Sequence, residues 1–442
     1  MRKLLLILSA VLIAAPAVKA ACAREAGAAS PAVLIAAPAV KAADMSAALD
    51  FYKKQALTIS ADPTRDERAF AKTLADNVGT WVSQNPRQAA TADALLLQTR
   101  LYLRAQNNAN ALVSLFKLRK VFPSADINAL KALLPQAAEA VKADARETAN
   151  QLFALPLPAE TDTEADREAE ALYALSKLPG RTLYAPAAQA FETFFALHPK
   201  YENGDKVELW YGDLHRLNGN YLAAISQYKK AGELYYPATP YKAASLRLIG
   251  DIYADNLKDT ANATAYYTRV LREFPGSSET GVVYKHMAIL DENNKQFDSA
   301  LINYDKSIEL LGNTKAAYES YRGKADVYVK TKNYAEAYNT LLKTANVFSA
   351  DEEKCTFSLL EAANVAKKRM HDQTKYMQAL EKALVAHPAG PRAPQIMFDL
   401  ASAYEQQGRN TQAIEIYKRL IINHPTNKLA SRAQGRLNRL QK

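Results

Sequence analysis

Small residues recur along this chain at an almost constant spacing of 37 to 39 residues. The repeated positions are Ala111, Ala149, Ala187, Ala224, Ala263, Ala300, Ala337, Tyr376 and Ala413, where tyrosine stands in for alanine once. Four residues after each comes a large apolar side chain: Leu115, Phe153, Phe191, Tyr228, Tyr267, Tyr304, Leu341, Leu380 and Tyr417. A fixed period of this length predicts a stack of similar units, each packed against its neighbours, instead of one globular core.

The spacing within one period predicts two helices and two turns. An alanine and a ring four residues apart share one helical face, and the alanine lets another helix approach closely. Proline cannot continue a helix, and it follows the alanine by twelve residues at Pro123, Pro199, Pro275, Pro388 and Pro425, with Pro86 one period earlier. A small residue twelve positions before the alanine marks a first helix, at Gly212, Ala288, Ala325 and Ala401. Turn pairs, which are Gly219-Asn220, Lys332-Asn333 and Gly408-Arg409, separate the two helices.

This order of positions resembles the tetratricopeptide repeat, most clearly in residues 212–237 and 400–425. The resemblance implies an all-α fold, a right-handed α-solenoid of about nine to ten helix-turn-helix repeats with a C-terminal capping helix. The unit around Ala149 departs from the pattern because its first helix shows no turn pair. The long exit loops, such as residues 274–279, are similar in style to those of the Tol–Pal coordinator and of outer-membrane assembly lipoproteins in the bacterial periplasm.

Residues 1–42 are typical of an export signal. A positively charged start precedes an apolar run over residues 4–15, which is too short to span a bilayer. The sequence AVLIAAPAVKAA occurs twice, so cleavage after residue 20 and cleavage after residue 42 are both open. Lipidation of Cys22 is a further alternative, which Lys19 disfavours. We expect an exported protein, periplasmic or associated with the outer membrane, with no transmembrane segment in the mature chain.

The remainder of the chain divides into four predicted parts. These are N-terminal helical repeats at 44–155, a loop at 156–164, the repeat solenoid at 165–425 and a basic capping helix at 426–442. The loop contains two prolines, Pro156 and Pro158, and leads into an acidic stretch, which is favourable at the start of a helix. The capping helix places Leu429, Ala433, Leu437 and Leu440 on one face, which we expect to cover the last unit.

No pattern in the sequence favours catalysis, a metal or a cofactor. The six histidines do not cluster, none has zinc-site spacing, and no phosphate-binding loop is present. We therefore predict a non-catalytic protein–protein interaction scaffold of the bacterial periplasm or cell envelope, with no cofactor and no metal. Two alternatives stay open: the helical part of a peptidoglycan-processing enzyme system, and an outer-membrane lipoprotein involved in envelope assembly.

The resemblance also implies that the first helix of each unit lines a binding groove. Carried over by register, the groove residues are Lys206, Asp213, Arg216, Arg247, Asp251, Lys285, Arg322, Asp326 and Lys330. Their mixed charge departs from the basic clamp with which some members of the family hold a C-terminal carboxylate, and it suits a polar extended peptide or a helix of an envelope partner. The alternative for Arg247 with Asp251, and for Arg322 with Asp326, is an ion pair that merely supports its own helix.

The C-terminal end carries the strongest charge feature of the chain. Between Lys418 and Lys442 there are seven basic residues and no acidic one. Arg432, Arg436 and Arg439 share a helical face, which predicts contact with an anionic envelope polymer or an acidic protein surface; nucleic acid is not an expected partner outside the cytoplasm. The alternative is that these cations complement the dipole at the end of the last helix.

Replacing Tyr267 by alanine tests the register of the units. Because the ring fills the space between two helices, its removal opens a cavity, and we expect Tyr267→Ala to lower the free energy of unfolding by roughly 3–5 kcal/mol. Denaturant titration followed by circular dichroism measures the change. A loss below about 1 kcal/mol would show that the register is wrong.

Overall fold

The structure is a computed structural model, and it describes residues 45–85, 90–122, 132–137, 153–154, 163–177 and 180–441. The chain divides into two compact units, residues 1–48 and residues 49–442, and the architecture below is that of the second. Several predictions lie outside the described residues: the export signal at 1–42 with Cys22, the small residue Ala149, the prolines Pro86 and Pro123, and nearly all of the predicted loop at 156–164.

The described residues form helices and no strand, which confirms the predicted all-α fold. The α-helices are α1 (Met45–Ala56), α2 (Arg65–Gln84), α3 (Ala90–Arg104), α4 (Asn108–Val121), α5 (Glu164–Ser176), α6 (Arg181–Leu197), α7 (Gly204–Leu217), α8 (Tyr221–Lys229), α9 (Lys242–Asp251), α10 (Thr260–Glu273), α11 (Ser278–Asn293), α12 (Phe297–Leu311), α13 (Lys315–Lys330), α14 (Tyr334–Val347), α15 (Glu352–Val365), α16 (Gln373–Ala386), α17 (Ala393–Gln406), α18 (Asn410–Asn423) and α19 (Lys428–Leu440). Three π-helical segments, Lys230–Leu234, Ile252–Asn256 and Ala366–Met370, continue α8, α9 and α15. Residues 132–137 are also helical.

Neighbouring helices along the chain are neighbours in space. From α2 to α19, each described helix packs against the next, and several odd-numbered helices also touch each other, as in α5–α7, α9–α11, α11–α13 and α17–α19. Each odd-numbered helix from α3 to α17 is therefore the first helix of a unit, and the even-numbered helix that follows is the second. This arrangement is an α-solenoid of helix-turn-helix repeats.

The contact inside a unit is a ring seated on a small residue. Tyr228 of α8 lies against Gly212 of α7, and Tyr267 of α10 lies against Gly250 of α9. A methyl group at Gly212 would come within 2.4 Å of a carbon of the Tyr228 ring, and one at Gly250 within 2.5 Å of the Tyr267 ring, so no larger residue fits without movement. Tyr228 is 0% and Tyr267 1% exposed. The ring predicted to fill the space between two helices does so.

Two first helices carry one residue more than the sequence pattern assigns to them. Gly250 precedes Ala263 by thirteen residues, and Ala363 precedes Tyr376 by thirteen, where the units that contain Gly212, Ala288, Ala325 and Ala401 have twelve. Both helices end in a π-helical segment, in which each hydrogen bond spans one more residue than in an α-helix. The π turn thus absorbs one of the two additional residues in the two 39-residue periods.

In seven of the units, a single residue with left-handed backbone conformation closes the turn between the two helices. Positive φ angles between 52° and 78° occur at Gln106, Gly219, Lys258, Lys295, Lys332, His371 and Gly408. All seven lie five residues before the small residue of their unit. The next amide then bonds back to the first helix, as Asn333 N does to Tyr328 O at 2.8 Å, which is how a helix C-terminus is commonly closed.

Prolines end the second helices where the sequence predicts. The helices α6, α10, α16 and α18 stop at Leu197, Glu273, Ala386 and Asn423, two residues before Pro199, Pro275, Pro388 and Pro425. The reason is steric, because the proline ring disfavours helical geometry in the residue that precedes it. In the last helix, α19, Ala430, Ala433 and Leu437 are buried while most of its polar residues are exposed.

Substituting Gly408 tests the turn geometry apart from packing. Gly408 has φ +70°, and an added Cβ would meet no atom within 4 Å, so the cost of Gly408→Ala is conformational alone. We expect the free energy of unfolding to fall by about 1 kcal/mol. Gly435 of α19 is the matched control because it is helical and its Cβ position is also empty, so Gly435→Ala should raise the free energy by about 0.5–1 kcal/mol. Chemical denaturation of both variants measures the two changes in the free energy of unfolding. Equal changes for Gly408→Ala and Gly435→Ala would contradict the left-handed turn.

Candidate protein-interaction face

The predicted groove residues lie on four consecutive first helices. Lys206, Asp213 and Arg216 are on α7, Arg247 and Asp251 on α9, Lys285 on α11, and Arg322, Asp326 and Lys330 on α13. We call the surface that these side chains share with the neighbouring parts of α5 and α15 the first-helix face. Its polar groups decide whether it can bind a partner or serves only to join the units.

Ion pairs and one histidine–carboxylate contact connect the C-terminal end of α5 with α7, α9 with α11, α11 with α13 and α13 with α15 across this face. The pairs are Lys177–Asp213 (3.1 Å), Arg247–Glu279, Asp251–His286 (2.6 Å), Lys285–Glu319 (2.7 Å), Glu292–Lys330 and Arg322–Glu361 (3.3 Å). The two members of each pair are 32 to 39 residues apart, which is about one period. Six of the nine predicted groove residues therefore join one unit to the next, whereas the sequence pattern indicates only pairs within a helix.

Asp251 is at the centre of a well-buried network. It accepts a hydrogen bond from the Tyr267 hydroxyl at 2.8 Å and lies 2.6 Å from His286 Nδ1, and Arg247 reaches both Asp251 and Glu279. Burial alone would raise the pKa of Asp251, but the hydrogen bonds and charges of His286, Arg247 and Tyr267 outweigh burial and hold that pKa below its usual range. The carboxylate is therefore ionised, and it links the core ring to the next unit.

The same link from core ring to carboxylate recurs in other units. The hydroxyls of Tyr228, Tyr304 and Tyr417 donate to Asp213, Glu292 and Glu405 at 2.8, 2.9 and 3.0 Å. Each of these carboxylates also pairs with a cation from an adjacent unit, namely Lys177, Lys330 or Arg436. The contact that packs a unit thereby fixes the charged groups on the first-helix face.

Arg322 does not pair with Asp326 on its own helix. Its guanidinium lies 3.3 Å from Glu361 and stacks 4.8 Å from the centre of the Phe357 ring, both on α15. Asp326 is exposed to solvent on one side. The protein around its carboxyl partly desolvates it, which raises the pKa of Asp326 despite the nearby charge of Arg322. Of the two alternatives weighed from the sequence for this pair, the ion pair that supports α13 is not formed, and Asp326 stays a candidate contact for a partner.

Two aromatic rings of adjacent units contact each other on the same face in a tilted arrangement. The centroids of Tyr173 on α5 and Trp210 on α7 are 4.9 Å apart. The Lys177 ammonium lies 5.0 Å from the Tyr173 ring, and that of Lys206 lies 5.2 Å from the Trp210 ring. Tyr173 is 45% exposed, so this group, which we call the aromatic–lysine cluster, presents rings and cations together to solvent.

Sequence reasoning found only Lys206 of this cluster. A signal for the rings was present, because Tyr173 and Trp210 each lie fourteen residues before the small residue of their unit, Ala187 or Ala224. Equal register in adjacent units places two side chains side by side on parallel first helices.

The predicted C-terminal basic patch is divided. Arg436 pairs with Glu405 at 3.1 Å, and Arg432 lies 4.7 Å from the centre of the Phe398 ring, so both contact α17. Arg439 is exposed. Two of the three arginines thus attach the capping helix to the preceding unit, and one points to solvent.

Two features are absent from the part of the chain that the structure describes. No group of three or more histidine, cysteine, aspartate or glutamate side chains there is arranged to hold a metal ion. No helix there combines the length and the apolar character that crossing a membrane requires. Cys355 is buried and unpaired among these residues.

Replacing Asp251 by asparagine tests the network that joins two units. The variant removes the carboxylate that faces His286 and one of the two carboxylates that Arg247 contacts in a largely buried site, and we expect the free energy of unfolding at pH 7 to fall by about 3 kcal/mol. Because the folded-state pKa of Asp251 is lowered, its contribution is present above the ordinary aspartate pKa of about 4 and is lost as the pH falls through the folded-state value. The two proteins should therefore converge in stability in acid.

Asp305 supplies the control for this measurement. It pairs with Lys324 at 2.5 Å, but its side chain is 59% exposed, so Asp305→Asn should cost less than about 1 kcal/mol. Urea denaturation of wild type and both variants between pH 3 and pH 7 gives the comparison. Equal, small losses for the two substitutions would contradict the role of Asp251.

Comparison with protein families gives two matches to repeat models. Both models are described as tetratricopeptide repeat, and they match residues 244–277 and residues 372–428. The first segment covers most of α9 and α10, and the second runs from the start of α16 to the start of α19. No curated protein matches the chain.

Several solved structures resemble the chain. The C-terminal part of a TPR repeat-containing protein from Cytophaga hutchinsonii is 17% identical over 60% of this chain and 98% of its own, with a TM-score of 0.41. A tetratricopeptide repeat protein from Parabacteroides merdae is 14% identical over 63% and 99%, with a TM-score of 0.35. Yeast Tom70 is 16% identical over 90% and 92%, with a TM-score of 0.29. At such scores we draw no argument about function from them.

The finer likeness to the Tol–Pal coordinator and to outer-membrane assembly lipoproteins is not confirmed by these matches. What the repeat models and the helix-turn-helix architecture support for this chain is the tetratricopeptide repeat family.

Proposed function

We propose that this chain is a non-catalytic scaffold that binds proteins of the bacterial cell envelope along its first-helix face. Tetratricopeptide repeats are generally scaffolds for protein–protein interaction, and the family matches on two segments of the chain support that role. The proposed setting, the periplasm or the outer membrane, is supported by the export-signal pattern of residues 1–42.

The aromatic–lysine cluster is the observation that carries the proposal. Tyrosine and tryptophan are enriched in the parts of interfaces that dominate binding energy, because they offer large rigid surfaces with little entropy to lose. Tyr173 is 45% exposed although its ring contacts that of Trp210, so part of its ring is available to a partner. Lys177 and Lys206 add two positive charges beside the rings.

The ion pairs between units make this surface a prearranged one. Lys177 is held by Asp213, which also receives the hydroxyl of the core residue Tyr228. Side chains that are already fixed lose less entropy when a partner binds. The face therefore suits recognition of a folded or helical protein surface, with Asp326 available as a further polar contact.

An anionic envelope polymer is a second proposed ligand, at the C-terminal helix α19. The specific support is the run from Lys418 to Lys442, which has no acidic residue, together with the exposure of Arg439. Arg439→Glu tests this role, whereas reversal of Arg436 would also place two negative charges together at Glu405.

Affinity capture from a detergent-solubilised envelope fraction tests the scaffold role. We expect a defined envelope protein to copurify with the wild-type chain, and its recovery to fall at least about tenfold with the double variant Tyr173→Ala, Lys206→Glu, since losing a binding hot spot costs 2 kcal/mol or more. Tyr235→Ala is the matched control because Tyr235 is 67% exposed and lies outside the cluster. Circular dichroism checks that all variants are folded.

Two outcomes would contradict the proposal. One is capture of no envelope protein above the level seen with an unrelated bait. The other is equal recovery with the cluster variant and the Tyr235→Ala control.

A further inference from the structure

A second surface lies at the N-terminal end of the stack, apart from the aromatic–lysine cluster. A cavity of about 620 Å³ opens between α1, α3 and the helical residues 132–137. Six leucines line it, namely Leu57, Leu96, Leu97, Leu101, Leu103 and Leu133, and we call it the leucine groove. Leu101 and Leu133 are buried, whereas Leu57 is 84% exposed.

Arg104 sets the geometry of this groove. Its Nη1 donates to the carbonyl oxygens of Ala56 and Ile59 at 3.0 and 2.9 Å, so it holds the end of α1 to α3. A groove that is fixed by its own hydrogen bonds is prearranged for a ligand.

The charged groups at the groove give it a positive balance. Lys53, Arg100 and Arg104 line it together with one acid, Asp93. Lys53 and Asp93 lie 3.9 Å apart and are both exposed, which leaves little net charge between them, and Arg104 is engaged with the carbonyls of Ala56 and Ile59. Arg100 is exposed, so the groove combines an apolar floor with a cation at its rim. Such a surface favours apolar side chains that are accompanied by carboxylates.

The length of the groove fits a helix. Its lining residues on α3 run from Asp93 to Arg104, three turns or about 16 Å of helix. An amphipathic helix presents apolar anchors at i, i+3, i+4 and i+7 over that length. We propose that the leucine groove binds an acidic amphipathic helix of a protein partner. The inference rests on the proposed scaffold function and specifies the chemistry of one bound segment.

Synthetic peptides test this directly with the purified full chain. The first is a labelled helical peptide with leucine at i, i+3, i+4 and i+7 and glutamate at its other surface positions. The second has lysine in place of glutamate, and the third has the composition of the first with its leucines scrambled. By fluorescence anisotropy we expect the acidic amphipathic peptide to bind at least about tenfold more tightly than either of the others.

Variants locate the binding. We expect Leu97→Glu and Arg100→Glu each to weaken binding of the acidic peptide at least about tenfold, whereas Val385→Glu should leave it unchanged. Val385 of α16 is 82% exposed and lies outside the groove, so it controls for adding a charge at an apolar surface residue. Circular dichroism confirms the fold of each variant, and the milder Leu97→Ala replaces Leu97→Glu if that variant does not fold.

The inference would be overturned by the absence of saturable binding of the acidic peptide, by equal affinity for the three peptides, or by equal weakening with Val385→Glu. Binding of laurate, a fatty-acid probe, at the groove without binding of any peptide would also overturn it. Self-association of the chain that Leu97→Glu abolishes would assign the groove to a second copy and would also overturn it. The variant Tyr173→Ala, Lys206→Glu should still bind the peptide, so failure of the envelope capture and failure of the groove are separate results.

Discussion

The seating of a ring on a small residue is the contact on which the rest of this structure depends. In the units of Tyr228 and Tyr267 no side chain can replace the glycine beneath the ring, because a Cβ there would overlap the ring carbons. The contact sets how closely the two helices of a unit approach, and repetition every 37 to 39 residues lets the units stack. Stability in such a stack is a sum of unit and neighbour terms, which explains why 442 residues need no single large core.

The ring also reaches the surface through its hydroxyl. Tyr228, Tyr267, Tyr304 and Tyr417 each donate to a carboxylate on the first helix of their own unit, and a basic side chain of an adjacent unit contacts that carboxylate. Packing inside a unit is thereby coupled to the joint between units. The first-helix face is consequently a set of fixed charges, and the groups that project from it, such as Tyr173 and Lys206, stand on a prearranged frame.

The helical fold and the unit boundaries could be predicted because they depend on local spacing: an alanine and a ring four residues apart, and a proline at the exit. The turns at Lys258, Lys295 and His371 escaped prediction because residues other than glycine adopt the left-handed conformation there, and the surrounding helices impose it. The π turn after Gly250 was missed because it shifts the register by one residue.

Pairs such as Lys285–Glu319 were missed because they depend on which side chains meet across units, and their spacing only approximates the period. The leucine groove gave no sequence signal, since leucines on a helix look alike whether another helix covers them or not.

Deleting one whole period is the most direct test of the central claim that identical contacts, each shared only with neighbours, build this fold. Removing residues 300–336 joins Ser299 to Ala337 and keeps a small residue, a large apolar residue (Leu341 in place of Tyr304) and a turn in register. The account predicts that the shortened chain keeps its helical circular dichroism per residue and unfolds cooperatively. A deletion of 300–318, which breaks the register, should lose helix and cooperativity. If removing the full period disrupts the chain as much as removing half of it, the account is wrong.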